Sequence, residues 1–428
     1  MTETDIREFR QSNWRFVVSI SGGGSAFISD YLALPGASAT FLEAIVPYAQ
    51  DATDAFLGFR PESYCSEKTA RLLASQAFRR AGELDARARE RNEVAETPLV
   101  GIGVSAALAS DRPKKGAHRV YCAIRTSNVV FSATLRLTKN ARERAQEERL
   151  AADFAMSALL FATRRVQRDL IEPWREHKAE LVVATEPELL PDDDASISWA
   201  TLDEPGTKLI ADAQNSEFAA LRRFHGKTDR IRAKDGSEKE LRGSEVLPVP
   251  ETARAIYPGS FNPPHEAHAE IARLAAKRLG VPVELEISAR NVDKPPVDAL
   301  ELARRLEALE RVVPDLPVWI SNAPRYVEKA AIFRDATFVM GTDTILRLAN
   351  PKYEGNSIER RDAVLDQLQK SGASFCVFTR KIKGEIVSQE RLFQELPEKL
   401  RARCDFVPQD EFLNDLSSSA IRKNARLS

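Results

Sequence analysis

The chain has 428 residues, with 62 basic and 63 acidic side chains and a formal net charge of −1. That length predicts two domains, each able to bury its own core. The balanced charge excludes a global electrostatic field that would draw the protein to nucleic acid or to an anionic membrane.

Cysteine and hydropathy patterns narrow the class of protein further. Four scattered cysteines without a CxxC pair, and only five histidines, argue against a disulfide framework and a structural zinc site. The N-terminus is polar, and no apolar run reaches the ~18 residues that a membrane span needs. We therefore expect a cytoplasmic protein whose partners are small molecules, with no nucleic acid and no membrane among them.

An apolar strand from Phe16 to Ile20 is the first clear element. It runs through Ser21 into three glycines, Gly22 to Gly24, before a helix that begins near Ser25. Glycines at such a turn let backbone amides approach an anion or an oxyanion. A plain turn between a strand and a helix explains three glycines equally well, so the loop alone assigns no function.

Further elements complete the first 170 residues. The segment from Ser66 to Ala81 predicts an amphipathic helix whose apolar stripe packs into a core. Three strands, LVGIGV, RVYCAI and VVFSATLRL, come next, and a long helix runs through Leu150 and Phe161. This mixture of strands and helices predicts an α/β domain.

This order of elements, together with the segments PGAS and SEKTARLLA, resembles the C-terminal domain of the CinA family over about Trp14 to Val166. In that family the domain is a nicotinamide mononucleotide amidase. The family's SCTGG motif corresponds here to Ser19, Ile20, Ser21, Gly22 and Gly23. The resemblance implies that Ser19 is the nucleophile and that Ser21 supplies a hydroxyl in place of the threonine.

Two segments depart from the CinA pattern. The YSNExK motif corresponds to the residues from Tyr48 to Thr53, so Thr53 stands where the lysine that activates the serine is expected. A neutral hydroxyl cannot act as that base. The GIAGP loop is replaced by GIGVSAALASDRPKKG. We expect an amidase-type domain over 1–170, with Tyr48 among its site residues, that is inactive or altered. His118 and Lys114 are alternative activating groups, each expected on the surface.

Self-association is a further implication of the CinA resemblance. Domains of this family often self-associate, so we expect a homo-oligomer formed through this domain. An exposed apolar face on the helices near Leu73 or Phe154 is the expected contact surface.

The segment 171–250 is predicted to connect the two domains as a small ordered insertion. Within it, FAALRRF predicts a short helix. The stretch DRIRAKDGSEKELRG predicts two short strands around Asp235-Gly236, which is a favourable dipeptide for a hairpin turn.

The stretch GSFNPPHEAH, from Gly259 to His268, predicts a phosphate site. A short buried strand over 253–257 precedes it, and its glycine and prolines force a tight turn before a helix that begins at His265. The start of a helix favours a bound phosphate through its free N–H groups and its dipole. His265 and His268 share one face of the helix. The alternative is that both histidines only cap the helix or lie on its surface.

Three other segments add candidate nucleotide contacts. In LSSSAIR, three hydroxyls and an arginine suited to phosphate oxygens precede or open a helix, namely Ser417, Ser418, Ser419 and Arg422. FVMGTDT predicts a strand that ends at Gly341 with Asp343 just beyond, and FCVFTRK predicts a strand that ends near Arg380. Lys294 in NVDKPP is a further candidate phosphate contact, from a loop. Asp343 is equally well explained as a helix N-cap, and Arg380 and Lys294 as surface charges.

Together these segments resemble the nucleotidyltransferase superfamily with HxGH and ISSTxIR signatures, and above all the nicotinamide or nicotinate mononucleotide adenylyltransferases, over about Arg254 to Lys423. The resemblance implies that His265, His268 and Arg422 are catalytic. It implies nucleotide contacts at Gly259, Ser260, Phe261, Asn262, Gly341, Asp343, Arg380, Ser417, Ser418 and Ser419. Mg²⁺ would accompany ATP, with its ligands unassigned. Ala267 stands where the family has glycine, a change that a helix tolerates.

Strands near Ile256, Leu285, Trp319, Val339 and Val377 alternate with helices over 251–428, which predicts a Rossmann-like, doubly wound parallel sheet. Ligands of such sheets bind beyond the carboxyl ends of the strands, where the candidate residues fall. The sequence therefore predicts Mg–ATP-dependent adenylyl transfer to nicotinamide or nicotinate mononucleotide. The alternatives are adenylyl or cytidylyl transfer to another phosphate acceptor, or a regulatory protein that binds a pyridine nucleotide.

Overall fold

The computed structural model describes residues 3–91, 97–111, 116–168, 174–178, 189–201, 218–224, 227–233, 238–240, 254–290, 297–379, 381–382, 385–386, 389–408 and 410–412. The chain divides into two compact units, Met1–Thr207 with Asp298–Leu300, and Lys208–Val297 with Glu301–Ser428. Both units have an α/β fold, as the sequence predicts. The predicted boundaries of two domains, 1–170 and 251–428, with a connector over 171–250, stay a prediction. In the ranges given above, no helix is long and apolar enough to cross a membrane.

The first half of the chain forms one mixed sheet with helices on both faces. Its elements are α1 (Glu3–Gln11), β1 (Arg15–Ser21), α2 (Ala26–Ala33), β2 (Phe41–Ile45), α3 (Gln50–Leu57), α4 (Glu67–Glu90), β3 (Leu99–Ala107), β4 (His118–Arg125), β5 (Val129–Leu137), α5 (Arg144–Gln167), β6 (Trp174–Lys178) and β7 (Asp194–Thr201). The strand order is β2-β1-β3-β4-β5-β7-β6, with β1 parallel to β2 and β3. The predicted strands and helices of this half are confirmed.

Helix α4 lies unusually close to β3 because two strand glycines leave room for its backbone. A Cβ atom added to Gly103 would lie 2.1 Å from the carbonyl oxygen of Ala70, and one added to Gly101 would lie 2.1 Å from that of Ala74. The alanine stripe of the predicted helix is therefore a close-packing surface. The helix is longer than predicted, since it begins after Ser66 and continues to Glu90.

The expected apolar contact face for self-association is wrong. The side chains of Leu73 and Phe154 are both fully buried within the unit. Leu73 packs against Leu57 of α3, and Phe154 lies in the main core under the sheet. Both apolar faces are covered by other parts of the same unit. The homo-oligomer stays a prediction, and this surface does not support it.

The second half forms a nine-stranded sheet. Its elements are β8 (Phe218–Phe224), β9 (Lys227–Ala233), β10 (Glu238–Glu240), β11 (Arg254–Pro258), α6 (Glu266–Leu279), β12 (Val283–Ser288), α7 (Ala299–Val312), β13 (Val318–Ser321), α8 (Tyr326–Ile332), β14 (Ala336–Gly341), α9 (Thr342–Ala349), α10 (Ile358–Lys370), β15 (Ser374–Phe378), β16 (Lys381–Ile382), β17 (Glu385–Ile386), α11 (Gln389–Glu395), α12 (Glu398–Arg401) and β18 (Cys404–Val407). The strand order is β10-β9-β8-β13-β12-β11-β14-β15-β18, and β16 and β17 form a separate two-stranded sheet.

The predicted doubly wound parallel sheet is confirmed. All strands from β13 to β18 in that order run parallel. Helices α6 and α7 bury Ile271 and Leu309 against one face of the sheet. Helices α8, α9 and α10 bury Ala330, Ile345 and Leu365 against the other.

The short helix predicted for FAALRRF is wrong, because this segment is strand β8. It pairs antiparallel with β13, and its buried Arg222 donates a hydrogen bond to Glu284 at 2.7 Å. Alanine, leucine and arginine favour a helix locally, but pairing with a sheet edge overrides that preference. The predicted hairpin strands are confirmed as β9 and β10, with Glu238 opposite Arg232. The Asp235-Gly236 turn lies outside the described residues.

Candidate functional site

The strand order of the second sheet reverses beside β11. After β11 the chain adds β12 and β13 on one side, and then β14, β15 and β18 on the other. The order therefore reverses between β11 and β14, and ligands of open parallel sheets bind at such a point, beyond the carboxyl ends of the strands. The loop 259–264 follows β11 and the start of α9 follows β14. The predicted candidate residues on these two segments are thus brought to one edge of the sheet.

The loop after β11 is shaped by one aromatic ring. Phe261 is buried and has a left-handed backbone with φ of 43°. Its ring lies across Gly259, where an added Cβ atom would be 2.5 Å from Phe261 Cζ. The backbone N–H of Gly259 donates to the carbonyl of Glu286 at 2.9 Å. A side chain larger than glycine at position 259 would therefore force the Phe261 ring to shift.

Two side chains of helix α7 hold the loop 259–264 in place through hydrogen bonds. Arg305 Nη1 donates to the carbonyl oxygen of Ser260 at 3.0 Å, and Asn262 Nδ2 donates to Glu301 Oε1 at 3.2 Å. Glu301 and Arg305 also form an ion pair. Sequence reasoning missed both α7 residues, although their spacing of four positions on a helix is the usual pattern of an ion pair. Their contacts fix where Ser260 and Asn262 lie.

The two histidines open α6 as predicted. His265 is the N-cap residue and His268 lies in the first turn, and each side chain is 8% exposed. Their ring centroids are 3.8 Å apart, and the backbone N–H of His265 donates to His268 Nδ1 at 3.1 Å. A nitrogen that accepts this bond carries no hydrogen, so the hydrogen of His268 is on Nε2. The His268 ring is therefore a neutral donor held at the start of a helix.

Gly341 and Asp343 lie where β14 meets α9. Gly341 is the N-cap residue and Asp343 is in the first helical turn, so the alternative prediction of Asp343 as the N-cap is wrong. Asp343 Oδ1 is buried and has no hydrogen-bond partner among the residues described. Since buried oxygens in native proteins are nearly always paired, this oxygen is a candidate ligand contact.

Three further residues near this edge escaped sequence reasoning. Glu286, fully buried on β12, accepts from Lys329 Nζ at 2.8 and 2.7 Å. Burial raises the pKa of Tyr326, at the start of α8, and the nearby carboxylates of Glu286 and Asp343 raise it further. The Tyr326 hydroxyl therefore stays protonated at neutral pH and can donate a hydrogen bond. The segments VELEIS and YVEKAA carry no local signal for this cluster.

Several predicted contacts cannot be placed. Arg380, Ser417, Ser418, Ser419 and Arg422 lie outside the described residues, as does Lys294. Within the described ranges, no group of three or more His, Cys, Asp or Glu side chains is arranged to hold a metal ion.

Both serines of the amidase-like segment are buried by the chain's own packing. Ser19 is fully buried, on the face of β1 that α4 covers, and its hydroxyl has no hydrogen-bond partner among described residues. The hydroxyls of Ser21 and Thr53 both donate to the carbonyl of Pro47, at 3.1 and 2.8 Å. Tyr48 is 67% exposed. Among the described residues, no base contacts the Ser19 hydroxyl.

The triple-glycine loop already holds an anion from the protein itself. Glu148 of α5 accepts from the backbone N–H groups of Gly24 and Ser25 at 2.9 and 2.6 Å, and from the Ser25 hydroxyl at 2.7 Å. Burial raises the pKa of Glu148, but these hydrogen bonds and Arg144 outweigh burial and hold the pKa below its usual range. An added Cβ atom on Gly22 would lie 2.0 Å from the carbonyl oxygen of Ala106. The loop is therefore closed by the protein's own packing.

The expectation that His118 lies on the surface is wrong. His118 is 4% exposed, and its Nδ1 lies 2.7 Å from Glu147 Oε1. Glu147 Oε2 also accepts from the backbone N–H of Ala109 at 2.6 Å. A hydrogen-bonded carboxylate stabilises the buried ring, which the sequence could not show because the partners lie on separate elements. Lys114 lies outside the described residues.

Comparisons with known proteins give matches to both halves of the chain. Residues 256–424 match the family model described as Cytidylyltransferase-like. Among solved structures, a CinA superfamily protein from Escherichia coli is 19% identical, with 37% of this chain and 92% of that chain covered and a TM-score of 0.30. A competence/damage inducible protein from Agrobacterium tumefaciens is 17% identical, with 38% and 92% covered and a TM-score of 0.30. No curated protein matches the chain.

Proposed function

We propose that the C-terminal unit transfers the adenylyl group of Mg–ATP to the phosphate of nicotinamide or nicotinate mononucleotide, giving a dinucleotide and pyrophosphate. The observation that carries the proposal is the histidine pair at the start of α6, beyond β11 at the switch point of the sheet. The match of 256–424 to a Cytidylyltransferase-like family supports nucleotidyl transfer in general. The sequence motifs support ATP and a pyridine acceptor.

The reaction needs positioning and charge stabilisation rather than a nucleophilic side chain. An oxygen of the acceptor phosphate forms a bond to the α-phosphorus of ATP, and the bond from that phosphorus to the bridging oxygen breaks to release pyrophosphate. His268, with its hydrogen on Nε2, donates to a phosphoryl oxygen as negative charge develops. The N–H groups that open α6 favour the same charge.

Mg²⁺ would enter as part of the Mg–ATP complex. When bound, it would offset negative charge on the leaving pyrophosphate, and it would need only one or two protein carboxylates beside phosphate and water. In this proposal Asp343 accepts from ribose hydroxyls through its buried oxygen. The resemblance assigns phosphate contacts to Ser418, Ser419 and Arg422, a nucleotide contact to Ser417, and a position near the nucleotide or the acceptor to Arg380.

The N-terminal unit is proposed to be an amidase-like domain without amidase activity. Three observations support this: Ser19 is fully buried, Thr53 stands at the position of the activating lysine, and Glu148 fills the glycine loop. Its remaining role is structural or regulatory, and the reaction is proposed to take place in the cytoplasm.

Cytidylyl transfer is the second candidate, and the description of the matching family favours it. The test is product analysis by liquid chromatography and mass spectrometry after incubation of the pure protein with either mononucleotide and with Mg–ATP or Mg–CTP. The proposal expects a dinucleotide from ATP, lost in His268→Ala. If a product forms with CTP but not with ATP, the assignment of ATP as the donor is overturned. If no dinucleotide forms with either donor, the assignment of a pyridine mononucleotide as the acceptor is overturned.

A further inference from the structure

Asn322 stands directly after β13, at the same edge of the sheet as the histidine loop. Both polar atoms of its side chain, Nδ2 and Oδ1, are buried and have no hydrogen-bond partner among the described residues. Ser288 ends β12 and lies opposite Ser321, and its hydroxyl is likewise buried without a hydrogen-bond partner among the described residues. Buried side-chain polar atoms in native proteins are nearly always paired. Two such groups at the ends of adjacent strands indicate a place where a ligand completes the hydrogen bonds.

The backbone around Asn322 is fixed from both sides. Its own N–H donates to the carbonyl of Ala219 at 3.1 Å. The N–H of the following residue, Ala323, donates to the Ser321 hydroxyl at 3.2 Å, and the carbonyl of Ala323 accepts from Lys329 Nζ at 2.7 Å. The backbone of Asn322 and of the residue after it is thus held by hydrogen bonds, whereas the Asn322 side-chain amide has no partner among the described residues. This is expected of a preorganised binding group.

A buried charge pair supports that arrangement. Lys329 and Glu286 are both almost fully buried, with Lys329 Nζ 2.7 Å from Glu286 Oε2. The Ser321 hydroxyl also donates to Glu286. A buried pair of this kind costs desolvation and is weak evidence for stability on its own. Here both members bond to the backbone or side chains that flank Asn322, which gives the pair a positioning role.

We propose that Asn322 contacts a planar group of the substrate that offers a hydrogen-bond donor and an acceptor side by side, and that Lys329 and Glu286 are positioning residues for it. The inference rests on the proposed adenylyl transfer. In that reaction two groups have this chemistry: the primary carboxamide of nicotinamide mononucleotide and the base edge of adenine. A carboxamide side chain pairs with either through two hydrogen bonds, whereas the carboxylate of nicotinate mononucleotide only accepts.

The experiment is steady-state kinetics of the full chain and of Asn322→Ala with both mononucleotides and with Mg–ATP, together with calorimetric binding of each substrate. The inference expects a ten- to hundredfold rise in KM with little change in kcat. A rise for nicotinamide mononucleotide identifies the acceptor carboxamide as the contacted group, and a rise for ATP identifies the base. Asn128→Ala, in the turn between β4 and β5 of the other unit, is the matched control and leaves both KM values unchanged.

Positioning is tested by the double variant Glu286→Gln/Lys329→Met, which removes the pair without leaving one charge buried alone. The expected result is the same selective rise in KM at a thermal midpoint close to that of the parent. If the wild-type protein is active and Asn322→Ala has the same KM values and binding constants as the wild type, this inference alone is overturned. A wild-type protein that neither turns over nor binds either substrate overturns the proposed function as well.

Discussion

The ring centroids of His265 and His268 lie 3.8 Å apart, and the backbone N–H of the first donates to Nδ1 of the second. This bond fixes the tautomer of His268 and leaves Nε2 as its hydrogen-bond donor. It also aligns the two rings at the start of α6, where a phosphate is favoured. The loop and helix therefore present a donor in one defined protonation state.

Replacing His268 should remove catalysis rather than folding. We expect His268→Ala to lower kcat by about 100- to 1,000-fold, the usual effect of losing one charge-stabilising donor. His268→Gln, whose amide nitrogen lies near the position of Nε2, should retain part of the rate. Pyrophosphate release measures the effect. Equal losses in both variants would show that the donor at Nε2 is not what His268 contributes.

A methyl group at position 259 should disturb the loop through Phe261. Gly259→Ala places a Cβ atom 2.5 Å from Phe261 Cζ, and we expect a destabilisation of about 1–3 kcal/mol, typical of overpacking. Phe261→Ala in the same chain should relieve the clash, so the double variant should be more stable than the sum of the two single changes predicts. Chemical denaturation of the four proteins measures the coupling, and additive values would contradict the contact.

Glu148 should stabilise the N-terminal unit in a pH-dependent way. Loss of its hydrogen bonds to Gly24 and Ser25 in Glu148→Ala should cost about 1–3 kcal/mol. Because the folded pKa of Glu148 lies below its ordinary value of 4.5, the stabilisation is fully present above that pH and is lost as pH falls through the folded pKa. Chemical denaturation should show a smaller difference in the free energy of unfolding between wild type and Glu148→Ala at pH 4 than at pH 7. The control is Glu62→Ala, an exposed carboxylate 3.9 Å from Lys68, which should change little at either pH.

Restoring the missing lysine should not restore an amidase. Thr53→Lys supplies the base that the CinA resemblance expects, but Ser19 remains fully buried and Glu148 remains in the glycine loop. We expect no nicotinate mononucleotide from nicotinamide mononucleotide in either the parent or the variant, measured by mass spectrometry. Product from the variant alone would show that Ser19 is accessible in solution and that only the base is missing.

The sequence by itself determined most of the order of the elements, with FAALRRF as an exception, and the position of the histidine motif. Hydrophobic periods of two or 3.6 residues, and glycine and proline at the turns, act over a few neighbouring residues. Strand β11, the tight loop and the start of α6 could therefore be predicted without any tertiary contact. The parallel order of strands followed from the alternation of strands and helices.

The tertiary structure decided which polar groups are paired. Glu148 reaches Ser25 across 123 positions, and Lys329 reaches Glu286 across 43. No local pattern encodes such partners, because a carboxylate or an ammonium looks the same in sequence whether it is solvated or buried. For the same reason only packing showed that Ser19 is buried under α4 and that FAALRRF is a strand. Packing also showed that Asn322 is held in place while its amide has no partner among the described residues.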